Sequence, residues 1–443
     1  MTHFRPACFP VLAALSLAAA TAPLAAQDKP VAFRGARIIP ISGAPIENGV
    51  VLVSGGHITA VGAASSVRIP SGATIIDATG KVIMPGLVDT HSHIGGGAGA
   101  DASAPMQGDV RILDAIDAQA DNFKRARAGG ITTVNVMPGS GHLMSGQTVY
   151  LKLRDAHTIY DLMYCHDPLT EVCGGMKMAN GTNPRGSPPW PGTRAKAAAI
   201  VREKFIKARE YKAKIAAAGS DSTKLPARDL EMEALVQVLD GKRVVHMHTH
   251  RHDDILTALR LQKEFGYRLV LHHVSEGWKV AKEIADAHVA CSIIVIDSPG
   301  GKLEAAEMRL ENAKMLTDAG VAVAFHTDDG ITDSRFFIRS AALAVRAGLS
   351  REKALEGLTI EGARMLDLDK RIGTLETGKD ADLLVLSGDP LSVYSHVEQT
   401  WVEGRKVFDR SDPKDRPFAV GGYKAMRDDQ GFEDDDAPSG GEQ

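Results

Sequence analysis

Residues 85–97, PGLVDTHSHIGGG, contain an apolar strand pattern that ends in two histidines one residue apart. Side chains of a strand alternate between its two faces, so His91 and His93 are expected to point the same way. Neutral imidazole is the commonest metal ligand in proteins, which makes this pair a candidate metal site. An HxH motif also arises by chance, so its meaning depends on the rest of the chain.

Seven more apolar strand patterns follow and alternate with periodic helical stretches. They are ITTVNVMPG (131–139), DLMYCH (161–166), GMKMANG (175–181), RVVHMHTH (243–250), RLVLHHVSE (268–276), ACSIIVIDSP (290–299) and VAVAFHTDD (321–329). Eight strands alternating with helices predict a (β/α)8 TIM barrel, an α/β fold whose active site lies at the carboxyl ends of its strands.

Short β-type segments stand on both sides of this region. We predict that residues 27–85 and 369–410 join in a small β-sandwich domain beside a barrel of residues 86–368. Residues 411–443 are rich in Asp, Gly and Pro, and we expect a disordered acidic tail there.

The first 26 residues have a short basic start and a run rich in Ala and Leu. This pattern predicts a signal peptide removed before Gln27, and hence a periplasmic or secreted protein without a membrane anchor. An uncleaved anchor is the alternative. In such a compartment Cys165 and Cys173 could form a short-loop disulfide, although two free thiols fit the spacing equally well.

Polar residues stand at the ends of the other predicted strands. His246, His248 and His250 stand at the end of the fifth strand, His272 and His273 at the end of the sixth, and Asp328 at the end of the eighth. These ends converge in a closed barrel, so residues from all three strands could join His91 and His93 in one metal centre. The formal net charge of −4 and the absence of a basic stripe exclude a nucleic acid partner.

Four of these motifs, PGLVDTHSH, HMHTH, LHHVSEG and HTDDG, resemble the metal-binding pattern of the amidohydrolase superfamily. GTLETGKDADLLVLSGDP (373–390) resembles the stretch that follows the barrel in its members, and the resemblance covers residues 31–410. MPGSGHLMSGQ, GMKMANGTNP and HMHTHRHDDILTALR are most similar to imidazolonepropionase-like and prolidase-like bacterial members.

This resemblance implies one or two divalent ions, expected to be zinc. The implied ligands are His91, His93, Lys177, His248, His273 and Asp328. Lys177 would be a carboxylated lysine that bridges two ions, because an unmodified ammonium cannot bind a metal; a lysine paired with a carboxylate is the alternative.

At two of these positions, a neighbouring residue of the same type could be the ligand instead. Asp329 is the rival of Asp328, because adjacent residues of a strand point apart and only one can reach the metal. By the same rule we expect His272 to face away from His273 and to pack in the barrel wall. Thr182 stands in a loop where relatives carry a glutamate, so no role is transferred from that loop.

Substrate-binding candidates lie in the loops that follow the strands. His142 lies in the glycine-rich stretch after the second strand, and His250 and Arg251 follow the fifth. Arg251, Arg185 and Arg194 could each bind a substrate carboxylate.

The implied activity is hydrolysis of a C–N amide bond in a small molecule, with Asp328 as the proton shuttle. Export favours a dipeptide or an N-acyl amino acid as substrate. A cyclic amide hydrolase similar to imidazolonepropionase, a lactonase, and a metal-binding barrel without catalysis are the alternatives. Deaminases of the superfamily resemble an HxxE pattern, and Arg251 stands at the place of that glutamate. Homo-oligomerisation stays open.

Overall fold

The computed structural model describes residues 29–96, 101, 103–295 and 302–421. The predicted signal peptide and residues 422–443 of the predicted tail lie outside the described residues. Inside the predicted tail, residues 416–420 form a short helix whose Phe418 ring lies against Lys124.

The strands of the described chain are β1 Val31–Ile38, β2 Ile46–Ser54, β3 His57–Ala63, β4 Thr74–Asp77, β5 Val82–Pro85, β6 Leu87–Ser92, β7 Ile131–Val136, β8 Met144–Gln147, β9 Val149–Lys152, β10 Met176–Ala179, β11 Val245–Thr249, β12 Leu269–His273, β13 Ala290–Ile293, β14 Val323–Phe325, β15 Leu383–Leu386, β16 Val397–Val402 and β17 Arg405–Asp409.

The α-helices are α1 Asp121–Ala128, α2 Ile159–Leu162, α3 Arg194–Ala218, α4 Leu230–Leu239, α5 His252–Phe265, α6 Ala281–Asp286, α7 Asn312–Asp318, α8 Phe337–Arg346, α9 Arg351–Leu358, α10 Ile360–Met365 and α11 Arg416–Val420. Short 3-10 helices include Leu303–Ala305. None of the described helices has both the length and the apolar character that a membrane crossing needs.

One eight-stranded sheet contains strands from both ends of the chain. Its order is β17-β16-β15-β5-β1-β2-β3, with β4 paired to β1. β5 pairs in parallel with β1 and antiparallel with β15, so it connects the N-terminal strands to the C-terminal ones. Between these two segments the chain forms the sheets that carry the histidines.

The central strands form two sheets, ordered β14-β13-β12-β11-β10-β8 and β6-β7-β9. Strands β10 to β14 are mutually parallel, and β6 is parallel to β7. Nearly all of their residues are buried, as expected for parallel strands covered on both faces. This arrangement confirms the α/β class, although the described ladders do not close into one barrel.

The predicted third strand is wrong. DLMYCH (161–166) spans the end of α2 and the chain that follows it, and residues 144–152 occupy the place between β7 and β10. In this segment β8 pairs antiparallel with β10 and β9 pairs antiparallel with β7. The segment therefore runs opposite to its neighbours, a direction that apolar patterning does not reveal.

The cysteines of this region form the disulfide Cys165–Cys173. It links the chain just after α2 to the chain just before β10. Cys291 on β13 is a buried free thiol, and burial raises its pKa. Of the two possibilities that the spacing left open, the structure has the bonded one.

Candidate metal centre

Asp328 lies beside the two histidines that end β6. Its Oδ1 is 3.0 Å from His93 Nε2 and 3.3 Å from His91 Nε2, and the two imidazole nitrogens are 3.3 Å apart. The N–H of Asp328 donates to the carbonyl of His91 at 2.9 Å. The first and last strands of the predicted barrel thus bring their polar residues together, as the sequence predicted.

The charge states of this group suit metal binding. Burial raises the pKa of Asp328, but the hydrogen bond from His93 and the nearby His326 and Lys177 hold it well below its ordinary value. Burial, followed by the charge of Lys177, holds the pKa of His91 well below its ordinary value. The group therefore offers an ionised carboxylate and a neutral imidazole near neutral pH.

Lys177 on β10 lies against the same group. Its Nζ is 2.9 Å from His91 Nε2 and 3.1 Å from Met137 Sδ, and the residue is 1% exposed. The carbonyl of Met137 is also 2.8 Å from His93 Nδ1. Met137, which the sequence analysis did not single out, therefore contacts two of the predicted ligands.

Three more histidines form a second group beside the first. The ring centroids of His248, His250 and His273 lie 4.3–4.9 Å apart. Their Nε2 atoms are buried and have no hydrogen-bond partner among the described residues. His250 is further fixed by Ser275, whose Oγ is 2.7 Å from His250 Nδ1. His250, predicted only to touch substrate, lies with the predicted ligands themselves.

His273 connects the two groups. One ligand atom each of His91, His273 and Asp328 lie within 4.8 Å of one another, and the same holds for His248, His250 and His273. Buried nitrogen atoms without protein partners, next to an ionised carboxylate, fit a divalent cation such as zinc. His91, His93, Lys177 and Asp328 would hold one ion, and His248 and His273 would hold another.

The expectation that His272 packs away from this centre is wrong. Its ring centroid lies 5.0 Å from that of His91, and His272 can group with His91 and His326 around one point. His273 and Val274 have φ angles of +68° and +52°, in the left-handed region. This backbone breaks the alternation of the strand, so consecutive side chains can both reach the cluster.

The remaining histidines near the centre are held by other side chains. His246 uses both ring nitrogens, with Nδ1 2.9 Å from His272 Nε2 and Nε2 3.1 Å from Tyr150 Oη. His326, which the sequence analysis missed, stacks on His91 with 4.9 Å between centroids, and its Nδ1 is 2.8 Å from Ser292 Oγ. The FHTDD motif did contain this residue, two positions before Asp328.

Asp89 forms hydrogen bonds with His91 and with the residue that precedes Asp328. Its buried carboxylate accepts hydrogen bonds from the hydroxyl of Thr327 at 2.5 Å, the N–H of Thr327 at 3.1 Å and the N–H of His91 at 3.2 Å. Burial raises the pKa of Asp89 to about 7. Its place two residues before His91 was visible in the sequence, but its partner Thr327, two residues after the end of β14, was not.

Asp329 lies outside the group of ligands. Its carboxylate accepts a hydrogen bond from Ser334, five residues along the chain. The structure thus places Asp328, and not its rival, with the histidines.

The predicted substrate-binding residues differ in their surroundings. His142 Nε2 is 3.1 Å from the carbonyl of Asp101, and its ring packs against Trp190. Arg251 pairs with Asp253 at 2.9–3.0 Å, and Arg194 pairs with Asp254 at 2.8 Å. By contrast, Arg185 Nε has no hydrogen-bond partner among the residues that the structure describes.

Comparison with known proteins identifies the family. The amidohydrolase family model matches residues 82–407, most of the chain. The chain belongs to the amidohydrolase family. This assignment makes it a hydrolase that acts on C–N bonds of small molecules in a metal-dependent family, and it confirms the resemblance stated above.

Curated relatives of this amidohydrolase have several activities. It is 27% identical to the amidohydrolase tasK of Hapsidospora irregularis over 84% of the chain, but spans only 41% of that protein. It is 24% identical to a 5-methylthioadenosine/S-adenosylhomocysteine deaminase of Symbiobacterium thermophilum, with 85% and 93% coverage. It is 26% identical to an imidazolonepropionase of Rhizobium rhizogenes, with 79% and 89% coverage.

Solved structures show the same fold. An amidohydrolase from Thermotoga maritima superposes with a TM-score of 0.80 and 36% identity, over 86% of this amidohydrolase and all of that chain. A prolidase-like protein from Bifidobacterium longum has a TM-score of 0.55 at 18% identity, with 88% and 98% coverage. An adenosine deaminase from Xanthomonas campestris, solved with bound zinc, has a TM-score of 0.53 at 19% identity. The match covers 85% of this amidohydrolase and 92% of that chain.

Proposed function

We propose that this amidohydrolase cleaves the C–N amide bond of a dipeptide or an N-acyl amino acid, with Asp328 as base and proton shuttle. The observation that carries the proposal is the position of Asp328 Oδ1, 3.0 and 3.3 Å from two predicted ligands. A divalent ion bound there lowers the pKa of water toward neutrality and polarises a substrate carbonyl.

The side chains of the centre would carry out the proton transfers and stabilise the charge on the carbonyl oxygen. Asp328, ionised because His93, His326 and Lys177 offset its burial, accepts the proton of the attacking water. The same carboxylate passes that proton to the leaving nitrogen when the C–N bond breaks. His250, whose Nδ1 is held by Ser275, could donate an Nε2 N–H to the carbonyl oxygen and stabilise its developing charge.

Two zinc ions, bridged by a carboxylated Lys177, are the proposed cofactor. Support comes from the two groups that meet at His273 and from Lys177 Nζ, which lies 2.9 Å from His91 Nε2. Imidazole and carboxylate ligands suit zinc. The closed (β/α)8 barrel belongs to the same proposal, and the superposition on the Thermotoga amidohydrolase supports it.

Arg185 is the proposed partner of the substrate carboxylate. It lies in the loop after β10, and its Nε has no partner among the described residues, whereas Arg194 and Arg251 have carboxylate partners. A guanidinium whose Nε is unpartnered among the described residues favours a substrate that carries a carboxylate, such as a peptide or an acylated amino acid.

A cyclic amide is the second candidate substrate, because an imidazolonepropionase is among the relatives. A deaminase is less well supported, because Arg251 stands where the HxxE pattern needs glutamate and is paired with Asp253. A screen of the zinc-loaded protein against dipeptides, N-acyl amino acids and cyclic amides tests the proposal. We expect turnover of the first two classes; release of ammonia from purines alone would overturn it.

We also propose that the protein is exported. The disulfide Cys165–Cys173 supports this location, since such bonds persist mainly in oxidising compartments. Cell fractionation with N-terminal sequencing should find the chain outside the cytoplasm and beginning at Gln27. A cytoplasmic protein with residues 1–26 intact would contradict export.

A further inference from the structure

The turn that follows β12 has an unfavourable backbone conformation. His273 and Val274 have φ angles of +68° and +52°, in the left-handed region that residues with a Cβ rarely adopt. The conformation is costlier still for Val274, which is branched at Cβ. Residues keep such a backbone only where the surrounding structure determines it, and they are concentrated at functional sites. The hydrogen bonds of Val274 should therefore identify the residue that maintains the turn.

Both backbone groups of Val274 have partners on neighbouring segments. Its N–H donates to the carbonyl of Thr249, at the end of β11, at 2.9 Å. Its carbonyl accepts from the N–H of Gly277 at 2.9 Å and from the side-chain nitrogen of Asn312 at 2.9 Å. Among the described residues, Asn312 is thus the one whose side chain is bonded to Val274.

The amide of Asn312 makes this bond at a cost. Asn312 is the first residue of α7 and is 3% exposed. A carbonyl oxygen can only accept, so the amide nitrogen of Asn312 must face Val274. Its Oδ1 is then left buried and has no hydrogen-bond partner among the residues that the structure describes. An unsatisfied buried acceptor is unfavourable, so an apolar side chain would pack here at lower cost if Asn312 merely filled space.

The turn decides where the imidazole of His273 lies. In regular extended backbone, His272 and His273 would point to opposite faces of the sheet. Here the ring centroid of His273 is 4.3 Å from that of His248, and the ring centroid of His272 is 5.0 Å from that of His91. His273 is also the residue that two groups of candidate ligands share. Relaxation of the turn to negative φ would redirect this imidazole, so the position of His273 depends on the bonds that hold the turn.

We propose that Asn312 is a positioning residue of the metal centre. It holds Val274 in the left-handed backbone and thereby keeps the imidazole of His273 beside that of His248. The inference rests on the proposed two-ion centre. It goes beyond that proposal because it assigns a role to a residue outside the set of proposed ligands.

The test is a zinc titration of the metal-free, full-length protein in competition with a chelator of known affinity. Asn312→Leu keeps the approximate size of the side chain and removes the donor. We expect two zinc equivalents in the wild type, and in Asn312→Leu an affinity about tenfold to a hundredfold lower for the equivalent at His248 and His273. Thr400→Val is the matched control, because the buried hydroxyl of Thr400 donates to the carbonyl of Arg127 at 2.7 Å in the eight-stranded sheet.

A second background separates positioning from packing. Glycine adopts the left-handed backbone about as readily as the right-handed one, so Val274→Gly removes the strain that Asn312 offsets. In the Val274→Gly background, Asn312→Leu should therefore lower the zinc affinity by no more than about twofold. An equal loss in both backgrounds would assign Asn312 a packing role and overturn the inference. If Asn312→Leu does not fold, Asn312→Ala removes the same donor without adding bulk and is measured in the same way.

The remaining outcomes distinguish the inference from the proposal on which it rests. Two zinc equivalents of unchanged affinity in folded Asn312→Leu overturn the inference and leave the two-ion centre in place. A wild type that binds one zinc ion or none removes the two-ion centre and the inference together. Circular dichroism of each metal-free variant shows whether it is folded.

Discussion

The carboxylate of Asp89 accepts hydrogen bonds from both the hydroxyl and the N–H of Thr327, at 2.5 and 3.1 Å. Asp89 stands two residues before His91, and Thr327 stands directly before Asp328. The contact therefore fixes the strand that carries His91 relative to the segment that carries Asp328, although neither Asp89 nor Thr327 is a predicted ligand.

Replacing Thr327 with Val should weaken this link without changing any predicted ligand. We expect tenfold to a hundredfold lower zinc affinity, the usual cost of losing a group that supports a ligand. Competition with a chelator of known affinity measures the change. Thr257→Val is the control, because its hydroxyl bonds the carbonyl of Asp253 on α5. Unchanged zinc affinity in Thr327→Val would show that Asp89 holds the strands without Thr327.

Asp328→Asn should abolish turnover and leave the fold intact. An amide cannot accept the proton of water, and the loss of a general base costs about a hundredfold to ten-thousandfold in rate. Asp329→Asn should retain most of the activity, because Asn can still accept the hydrogen bond from Ser334. The measurements are kcat for both variants and circular dichroism for the fold. Full activity in Asp328→Asn would refute the proton shuttle.

Metal analysis tests the two-ion centre. The wild type should bind two zinc equivalents, and Lys177→Ala should retain one, because the bridging ligand is lost. Addition of bicarbonate with a short carboxylic acid should restore part of the second site in Lys177→Ala. A single equivalent in both proteins would mean that Lys177 does not bridge two ions.

Arg185→Gln should raise KM for acidic substrates. Loss of a charge-assisted hydrogen bond costs about 1.5–3 kcal/mol, or roughly tenfold to a hundredfold in kcat/KM. A dipeptide amide, which lacks the carboxylate, should be cut equally well by the wild type and the variant. Arg251→Gln is the matched control, since Arg251 already pairs with Asp253. An equal loss on acid and amide would place the substrate carboxylate elsewhere.

The stability of the protein in acid should depend on Glu403. This residue follows β16 of the eight-stranded sheet and pairs with Lys152 and Arg154, at and after the end of β9. Burial raises the pKa of Glu403, but Arg154 and Lys152 lower it from 4.5 to about 2. A depressed folded-state pKa stabilises the protein above about pH 4.5, and this contribution is lost as the pH falls toward 2.

Thermal unfolding from pH 7 to pH 2 measures this contribution. Glu403→Gln should be less stable than the wild type at neutral pH, and the difference should shrink as the pH falls through this range. Glu352→Gln, at an exposed position, serves as the control. A difference that is constant with pH would indicate that packing, and not charge, explains the effect.

The sequence predicted the central parallel strands and the residues that meet at their ends because both depend on local patterns. Period-two alternation placed His91 with His93, and the convergence of strand ends placed Asp328 beside them and His248 in the neighbouring group. The same rule failed at His272, where left-handed backbone at His273 overrides alternation. The apolar pattern also led to a wrong third strand at residues 161–166. Residues 144–152 take that place and run antiparallel to their neighbours, and patterning carries no information on strand direction. Partners distant in sequence, such as Asp89 and Thr327, could be found only in the folded chain.

The position of β5 has a consequence for how the protein is made. Its two neighbours, β1 and β15, are separated in the chain by more than three hundred residues, so one edge of β5 stays bare during most of synthesis. An uncovered edge invites pairing with other chains. A nascent or truncated product ending at α10 is therefore expected to self-associate through β5, whereas a chain that extends through β15 covers that edge itself.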